Sequence, residues 1–217
     1  MTDALATIAH HGVVPVVTLH DADHAPSLGR ALIAGGLPVA EVTFRSAAAE
    51  SSVAALTRTP DLLVGAGTIV TAEQVDRAAT VGAQFIVSPG LSRAVVDRAA
   101  AHGLPVIPGA VTATEVQSAL EMGLTTVKFF PAATSGGPEA ISALSAPFPQ
   151  VRFMPTGGVT TRSLPDYLGL PSVLAVGGSW MVPSDLLTRQ DEAALTGTIR
   201  HSVEHVAHVR RDTRRRG

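Results

Sequence analysis

Short runs of β-branched and other apolar residues recur along the chain, separated by longer stretches with helical spacing. The strand candidates are VVPVVTL from Val13, VAEVTF from Val39, LLVGAGTI from Leu62 and QFIVSP from Gln84. PVIPGA from Pro105, TVKFFP from Thr126, RFMPTGG from Arg152 and VLAVGGSW from Val173 continue the series. Between strands, the spacing predicts helices over residues 72–81, 94–101 and 115–122. Thr71 precedes the first with Glu73 and Gln74 in its opening turn, Ser92 precedes the second, and Thr112 and Thr114 lead into the third. These are N-cap residues, and Gly82, Gly103 and Gly123 stand where C-terminal stops belong. Val75, Ala78 and Ala79 share one helical face, as do Val95, Val96 and Ala99, so each helix has an apolar stripe to bury.

The strand starts are 26, 23, 22, 21, 21, 26 and 21 residues apart. Near-continuous apolar strands alternating with helices at this interval predict a parallel sheet covered by helices. Eight such units are the number that closes a barrel. An open doubly wound sheet is the runner-up, but its G-x-G-x-x-G fingerprint is missing after the first strand, where the chain reads TLHDADHA. No linker-like stretch divides the chain. The expectation is an α/β protein whose residues 1–209 form a single small (β/α)8 (TIM) barrel, followed by a basic tail over 210–217.

Against this apolar background the polar strand positions stand out. In a barrel, alternate strand residues point into the lumen, and chemistry collects at the strands' C-terminal ends. Glu41, Thr43 and Arg45 share one side of the second strand. Glu41 is the only acidic residue, among 18 Asp and Glu, inside any strand candidate. In the sixth strand Thr126, Lys128 and Phe130 share a side. A lone buried charge is costly unless paired, so one acid and one amine in two parallel strands are expected to meet in the lumen.

Composition sharpens the reading of Lys128. The 217 residues include 16 Lys and Arg, of which 15 are Arg and one is Lys. A buried ion pair that serves only as a strut is the alternative, but Arg would fill that role equally well in a chain that prefers it. Lys differs in that a desolvated amine beside another cation loses its proton near neutral pH and attacks carbonyls. Arg45 is the candidate for that cation. The absence of Cys removes disulfides, thiolate metal sites and a cysteine nucleophile, and fits a reduced cytoplasmic setting. No apolar run is long enough to span a membrane, and the N-terminal residues do not have the pattern of a signal peptide. Five Arg against one Asp give the last eight residues +4, leaving −6 on the rest of a chain whose net charge is −2. That tail reads as a frayed, solvated helix end, because an acidic body repels nucleic acid.

Glycine turns supply the next clue. Thr156-Gly157-Gly158 follows the seventh strand and Gly177-Gly178-Ser179 the eighth. Loops at these two places bind phosphate in many barrels, through backbone N–H groups that only Gly lets a ligand approach closely. Thr68 ends the third strand, where its hydroxyl can donate to a carboxylate or hydroxyl, and Pro89 follows the fourth, at the pocket floor. His201-Ser-Val-Glu204-His205 matches the inverted zinc-protease pattern. Leu195, Ile199, Val203 and Val206 form the buried stripe of that helix, which puts His201, His205 and His208 opposite, toward solvent, so no metal is expected.

Taken together, VAEVTFRS, VGAGTI, IVSPGL, VKFFPA, VRFMPTGGV and VGGSW, in order from Val39 to Trp180, resemble the 2-keto-3-deoxy-6-phosphogluconate (KDPG) aldolases. Members of that family often also cleave 4-hydroxy-2-oxoglutarate (KHG). The resemblance implies a class I, metal-independent lyase of carbohydrate metabolism, in the Entner–Doudoroff pathway, with no cofactor. It implies a cytoplasmic homotrimer acting on a phosphorylated keto-deoxy sugar acid and pyruvate, with no nucleic-acid or membrane partner. On the matching positions, Lys128 would form the Schiff base and Glu41 would be the general acid/base, through a water. Arg45, Thr68 and Pro89 would surround the reacting end, Thr156 would help orient the carboxylate, and Gly157, Gly158, Gly178 and Ser179 would hold the phosphate. The first unit departs from the pattern: TLHDADH lacks the Arg or Lys that some relatives carry there, which bears on how the substrate's far end is held. The 6-phosphogalactonate aldolases are the near alternative. A phosphate-binding barrel isomerase or epimerase is the alternative of a different class, and would need paired acids or a strand His. A non-catalytic sugar-phosphate sensor would leave the Lys–acid pair without a purpose.

Overall fold

The computed structural model describes the backbone of residues 4–216 and the side chains of residues 4–213. A short helix α1 (Ala4–His11) leads into β1 (Val13–Val17), and a 3₁₀ turn (Ala22–His24) and α2 (Ala25–Ala34) lead to β2 (Val39–Thr43). The alternation continues through α3 (Ala49–Leu56), β3 (Leu63–Gly67), α4 (Ala72–Thr80), β4 (Phe85–Val87), α5 (Arg93–Ala101) and β5 (Val106–Ile107). It is completed by α6 (Ala113–Glu121), β6 (Thr126–Phe129), α7 (Gly137–Ser145), β7 (Arg152–Pro155), α8 (Leu164–Leu168), β8 (Val176–Gly178), α9 (Ser184–Thr188) and α10 (Glu192–Arg216).

Six strands pair in the order β5-β4-β3-β2-β1-β8, and β6 pairs with β7, all in parallel. Single bridges close the remaining gaps. Gly109 pairs with Lys128 at the β5–β6 side, and Phe153 with Val173 and Thr156 with Gly177 at the β7–β8 side. The ring therefore runs from β1 to β8 and back, the (β/α)8 barrel that eight evenly spaced units predict. In such a ring β2 and β6 face each other across the lumen.

The helix caps divide. Thr71 and Thr112 are N-caps that form complete capping boxes with Gln74 and Glu115, so α6 starts at Ala113, two residues before the expected 115. Ser92 makes no side-chain cap bond, and α5 starts at Arg93 instead of residue 94. Gly82, Gly103 and Gly123 take positive φ after α4, α5 and α6 and stop those helices. The apolar stripe of α10 buries Leu195, Ile199, Val206 and Val209, with Val203 only partly covered. His205 departs from the solvent-facing expectation: it is half-buried, with its Nε2 3.2 Å from the carbonyl of Thr161. Arg210 ties the ends of the chain together, donating to the carbonyls of His10 at 2.7 Å, Ala9 at 2.9 Å and Leu174 at 3.2 Å. The α10 backbone runs on to Arg216 through the expected basic tail of 210–217, while the side chains of 214–216 and all of residue 217 lie outside the described residues.

Candidate active site

Glu41 is the middle residue of β2, in register with Val16 on β1 and Gly65 on β3. Lys128 is the third residue of β6, in register with Met154 on β7. Because β2 and β6 are not neighbours in the ring, their side chains can meet only across the lumen, and they do. Lys128 Nζ donates to Glu41 Oε1 at 3.2 Å, with the two side chains 6% and 0% exposed. This is the meeting that the two solitary strand charges predict. Glu41 Oε2 is buried with no hydrogen-bond partner among the described residues, so one acceptor atom faces the lumen unspent. A buried carboxylate oxygen rarely goes unpaired, so Glu41 has acceptor capacity that the protein itself does not use.

The strand beside Glu41 makes room for it. A Cβ built on Gly67, in β3, would lie 2.5 Å from Glu41 Cγ and 2.6 Å from Cδ and would overlap Oε1. The glycine is thus part of the acid's seat. The next residue, Thr68, has φ +59, a left-handed conformation that is costly for a β-branched side chain and that turns the chain abruptly at the strand's C-terminal end.

Arg45, two residues past β2, is exposed and points its guanidinium at two threonines. Nη2 donates to Thr18 Oγ1 at 2.9 Å and Nε to Thr43 Oγ1 at 3.3 Å, and the two hydroxyls are 2.8 Å apart. Lys128 finds its charged partner in Glu41, whereas Arg45 is engaged by neutral hydroxyls. Arg45 lines a cavity of about 240 Å³ together with Thr18, His20, Ser179 and Ser184. That cavity joins Arg45, expected at the reacting end, to Ser179, expected at the phosphate end.

The remaining predicted residues take these positions. Thr156 is buried, its hydroxyl donating to the Met154 carbonyl at 3.4 Å and lying against Gly177, whose missing side chain leaves it room. Pro89 follows β4, where Ser88 Oγ donates to the Gly90 carbonyl at 2.8 Å. Gly157 and Gly158 have φ +92 and +76, and the Gly157 carbonyl accepts from Ala133 N at 3.0 Å. Gly158 borders a separate hollow with Glu139, Ser163 and Tyr167. Gly178 closes β8 with its open side filled by the Trp180 ring, so its lack of a side chain serves that packing.

Four residues of the site carry no role in the sequence reading. Thr18 and Thr43 hold Arg45. His20 lines the Arg45 cavity. Phe130 is 37% exposed for so large a ring, and its centroid is 5.3 Å from Lys128 Nζ, within cation–π range. Its period-two spacing from Lys128 was the available signal. No spacing rule points to Thr18.

Comparison with known proteins agrees with this geometry. The family model described as KDPG and KHG aldolase matches residues 5–198. The 2-dehydro-3-deoxy-phosphogluconate aldolase of Treponema pallidum is 46% identical over 89% of this chain and 93% of its own. The KHG/KDPG aldolase of Escherichia coli K12 is 41% identical over 94% of this chain and 96% of its own. Among solved structures, the KDPG aldolase of Legionella pneumophila, with pyruvate captured at low pH as a covalent carbinolamine intermediate, superposes with a TM-score of 0.88. It is 38% identical and covers 92% of this chain and 98% of its own.

Proposed function

The chain belongs to the KDPG and KHG aldolase family, and we propose that Lys128 and Glu41 carry its chemistry. The protein is a lyase, a class I aldolase that cleaves 2-keto-3-deoxy-6-phosphogluconate to pyruvate and D-glyceraldehyde 3-phosphate. The observation that supports the residue assignment is the Lys128–Glu41 contact across the lumen, 3.2 Å between two buried groups on opposed strands.

Within this pair a proton passes from the Lys128 ammonium to the Glu41 carboxylate, freeing the amine lone pair. The amine adds to the C2 ketone, giving a carbinolamine, and loss of water gives a protonated imine. Glu41, again ionised, takes the proton of the C4 hydroxyl as the C3–C4 bond breaks. The electron pair of that bond moves into the imine, leaving an enamine on Lys128 and releasing the aldehyde. The same carboxyl returns its proton to C3, and water hydrolyses the protonated imine to release pyruvate and return Lys128 as the ammonium beside the Glu41 carboxylate. Atoms balance, since the water lost in imine formation is matched by the one consumed at the end. No metal or cofactor takes part in this sequence.

The other assignments follow the same logic. Arg45 is the cation for the keto acid's carboxylate, with Thr68, Pro89 and Thr156 around the reacting carbons. Gly157, Gly158, Gly178 and Ser179 hold the phosphate. The family likeness further supports a cytoplasmic homotrimer in the Entner–Doudoroff pathway, a state that sedimentation at equilibrium would read directly. The enzymatic test is steady-state cleavage of the six-carbon phosphorylated acid, its galactonate epimer and 4-hydroxy-2-oxoglutarate, by the unsubstituted protein and by Lys128→Arg. The expected result is highest kcat/KM on the gluconate-derived acid, loss of activity in Lys128→Arg and no effect of a chelator. Activity that survives Lys128→Arg would overturn the assignment.

A further inference from the structure

We propose that Thr18, together with Thr43, is a positioning residue for Arg45, holding its guanidinium where the keto acid's carboxylate arrives. The proposal rests on the roles of Lys128 and Arg45 given above and adds a residue that no motif of the chain singles out.

The register places the pair. β1 and β2 run parallel with Val16 beside Glu41 and Val17 beside Val42, so the next step sets Thr18 beside Thr43. Their hydroxyl oxygens are 2.8 Å apart, and each faces one nitrogen of Arg45, Nη2 at 2.9 Å and Nε at 3.3 Å. One full edge of the guanidinium is therefore taken by two oxygens from two strands. A guanidinium only donates, so both oxygens accept from it. Of the two hydroxyls, one then spends its proton on the other, and the second keeps an O–H for a further acceptor.

The chemical character of the partners matters as much as their number. A carboxylate at this place would orient Arg45 but would also neutralise it. Two hydroxyls orient it and leave its charge whole. Among the described residues no carboxylate forms an ion pair with Arg45, as for several other arginines, but Arg45 differs in being held by two hydroxyls of the barrel mouth beside a cavity. Arg45 is thus prepared for an anion that the chain does not supply. An exposed Arg otherwise samples many rotamers, and fixing it beforehand removes that cost from binding.

A merely structural Thr18 would affect stability and leave the Arg45 dependence untouched, which sets the experiment. The probe is pyruvate, trapped on the enzyme by borohydride, with the half-saturating concentration read from the yield, alongside KM and kcat for cleavage. Thr18→Val keeps the shape and removes the acceptor. Thr18→Ser restores it. Thr18→Ala replaces Thr18→Val if the latter fails to fold by circular dichroism. The expected result is a three- to tenfold rise in half-saturation and KM for Thr18→Val, about the worth of one net hydrogen bond, with kcat within about twofold. Thr18→Ser should behave as the unsubstituted enzyme. In an Arg45→Gln background, Thr18→Val should change neither quantity. No effect of Thr18→Val in the enzyme that retains Arg45, or an equal effect with Arg45 and with Arg45→Gln, would overturn the proposal while leaving the aldolase reading intact. Failure of the unsubstituted protein to trap any pyruvate would be a different result, and would remove that reading and the proposal together.

Discussion

Adding one methyl group at Gly67 tests the seat of Glu41, the acid proposed to move the protons of the reaction. In Gly67→Ala the new Cβ would fall 2.5 Å from Glu41 Cγ and 2.6 Å from Cδ, where ordinary contacts begin at 3.4 Å. Glu41 is fully buried and Gly67 is paired into the sheet opposite Thr43, so the backbone has little freedom to yield. The carboxylate must withdraw by about 1 Å, which stretches its 3.2 Å contact with Lys128 beyond hydrogen-bond range. Overpacking of this kind costs about 1–3 kcal/mol. At about 2–4 °C per kcal/mol for a chain of this size, Tm should fall by about 2–12 °C. A misplacement of about 1 Å in a reacting group lowers kcat by about a hundredfold. Gly197→Ala supplies the control, the same added methyl in the second turn of α10 with nothing but its own helix backbone within 4 Å of it. There a helix propensity gain of about 0.5–1 kcal/mol should raise Tm slightly with kcat unchanged. The assays are a thermal melt and steady-state cleavage. A Gly67→Ala enzyme with undiminished Tm and kcat within threefold of the original would refute the placement of the Glu41 carboxylate.

Glu41→Gln keeps the shape of the acid but cannot take a proton. Cleavage kcat should fall by about 10²- to 10⁴-fold, with pyruvate adduct formation on Lys128 slowed as well because Glu41 also receives the Lys128 proton, and a loss below tenfold would remove Glu41 from the proton-transfer role. Thr68→Gly relieves a left-handed conformation that costs a β-branched residue about 1–2 kcal/mol. A higher Tm with a lower kcat/KM is expected from a melt and a kinetic run, and an unchanged or lower Tm would show that the turn carries no strain. His11 is held below its ordinary value of 6.5 by burial first, then by the neighbouring charges of His10 and Arg210. The folded state therefore binds fewer protons than the unfolded chain below pH 6.5, so stability should decline as pH falls through that region. His11→Gln should flatten this part of the Tm–pH curve, and equal slopes in both proteins would contradict the assignment.

What the chain reveals of itself follows the range of the interactions involved. Glu41 and Lys128 are legible because a charge in an apolar strand is tolerable only when paired, and strand alternation alone sets both toward the lumen. The ring of eight then makes them opposite. The N-caps at Thr71 and Thr112 are legible because a cap acts within its own first turn, whereas the boxes they close with Gln74 and Glu115 emerge only in the structure. Ser92 misleads, since an N-cap residue type does not ensure the bond. Short α1 hides because its anchor, Arg210, comes from the far end of the chain and bonds the carbonyls of Ala9 and His10. Gly178 reads as a phosphate turn, but its bare α-carbon is also what seats the Trp180 ring. Thr18 is silent in the sequence because its meaning lies in the β1–β2 register and in a guanidinium 27 residues away.

The central claim is that Lys128 is the amine that forms the imine. Borohydride reduction in the presence of pyruvate, followed by peptide mass spectrometry, tests it directly. One carboxyethyl group on Lys128, absent without pyruvate and absent in Lys128→Arg, is the predicted result. An unmodified Lys128 peptide in an enzyme that nonetheless cleaves its substrate would contradict the claim.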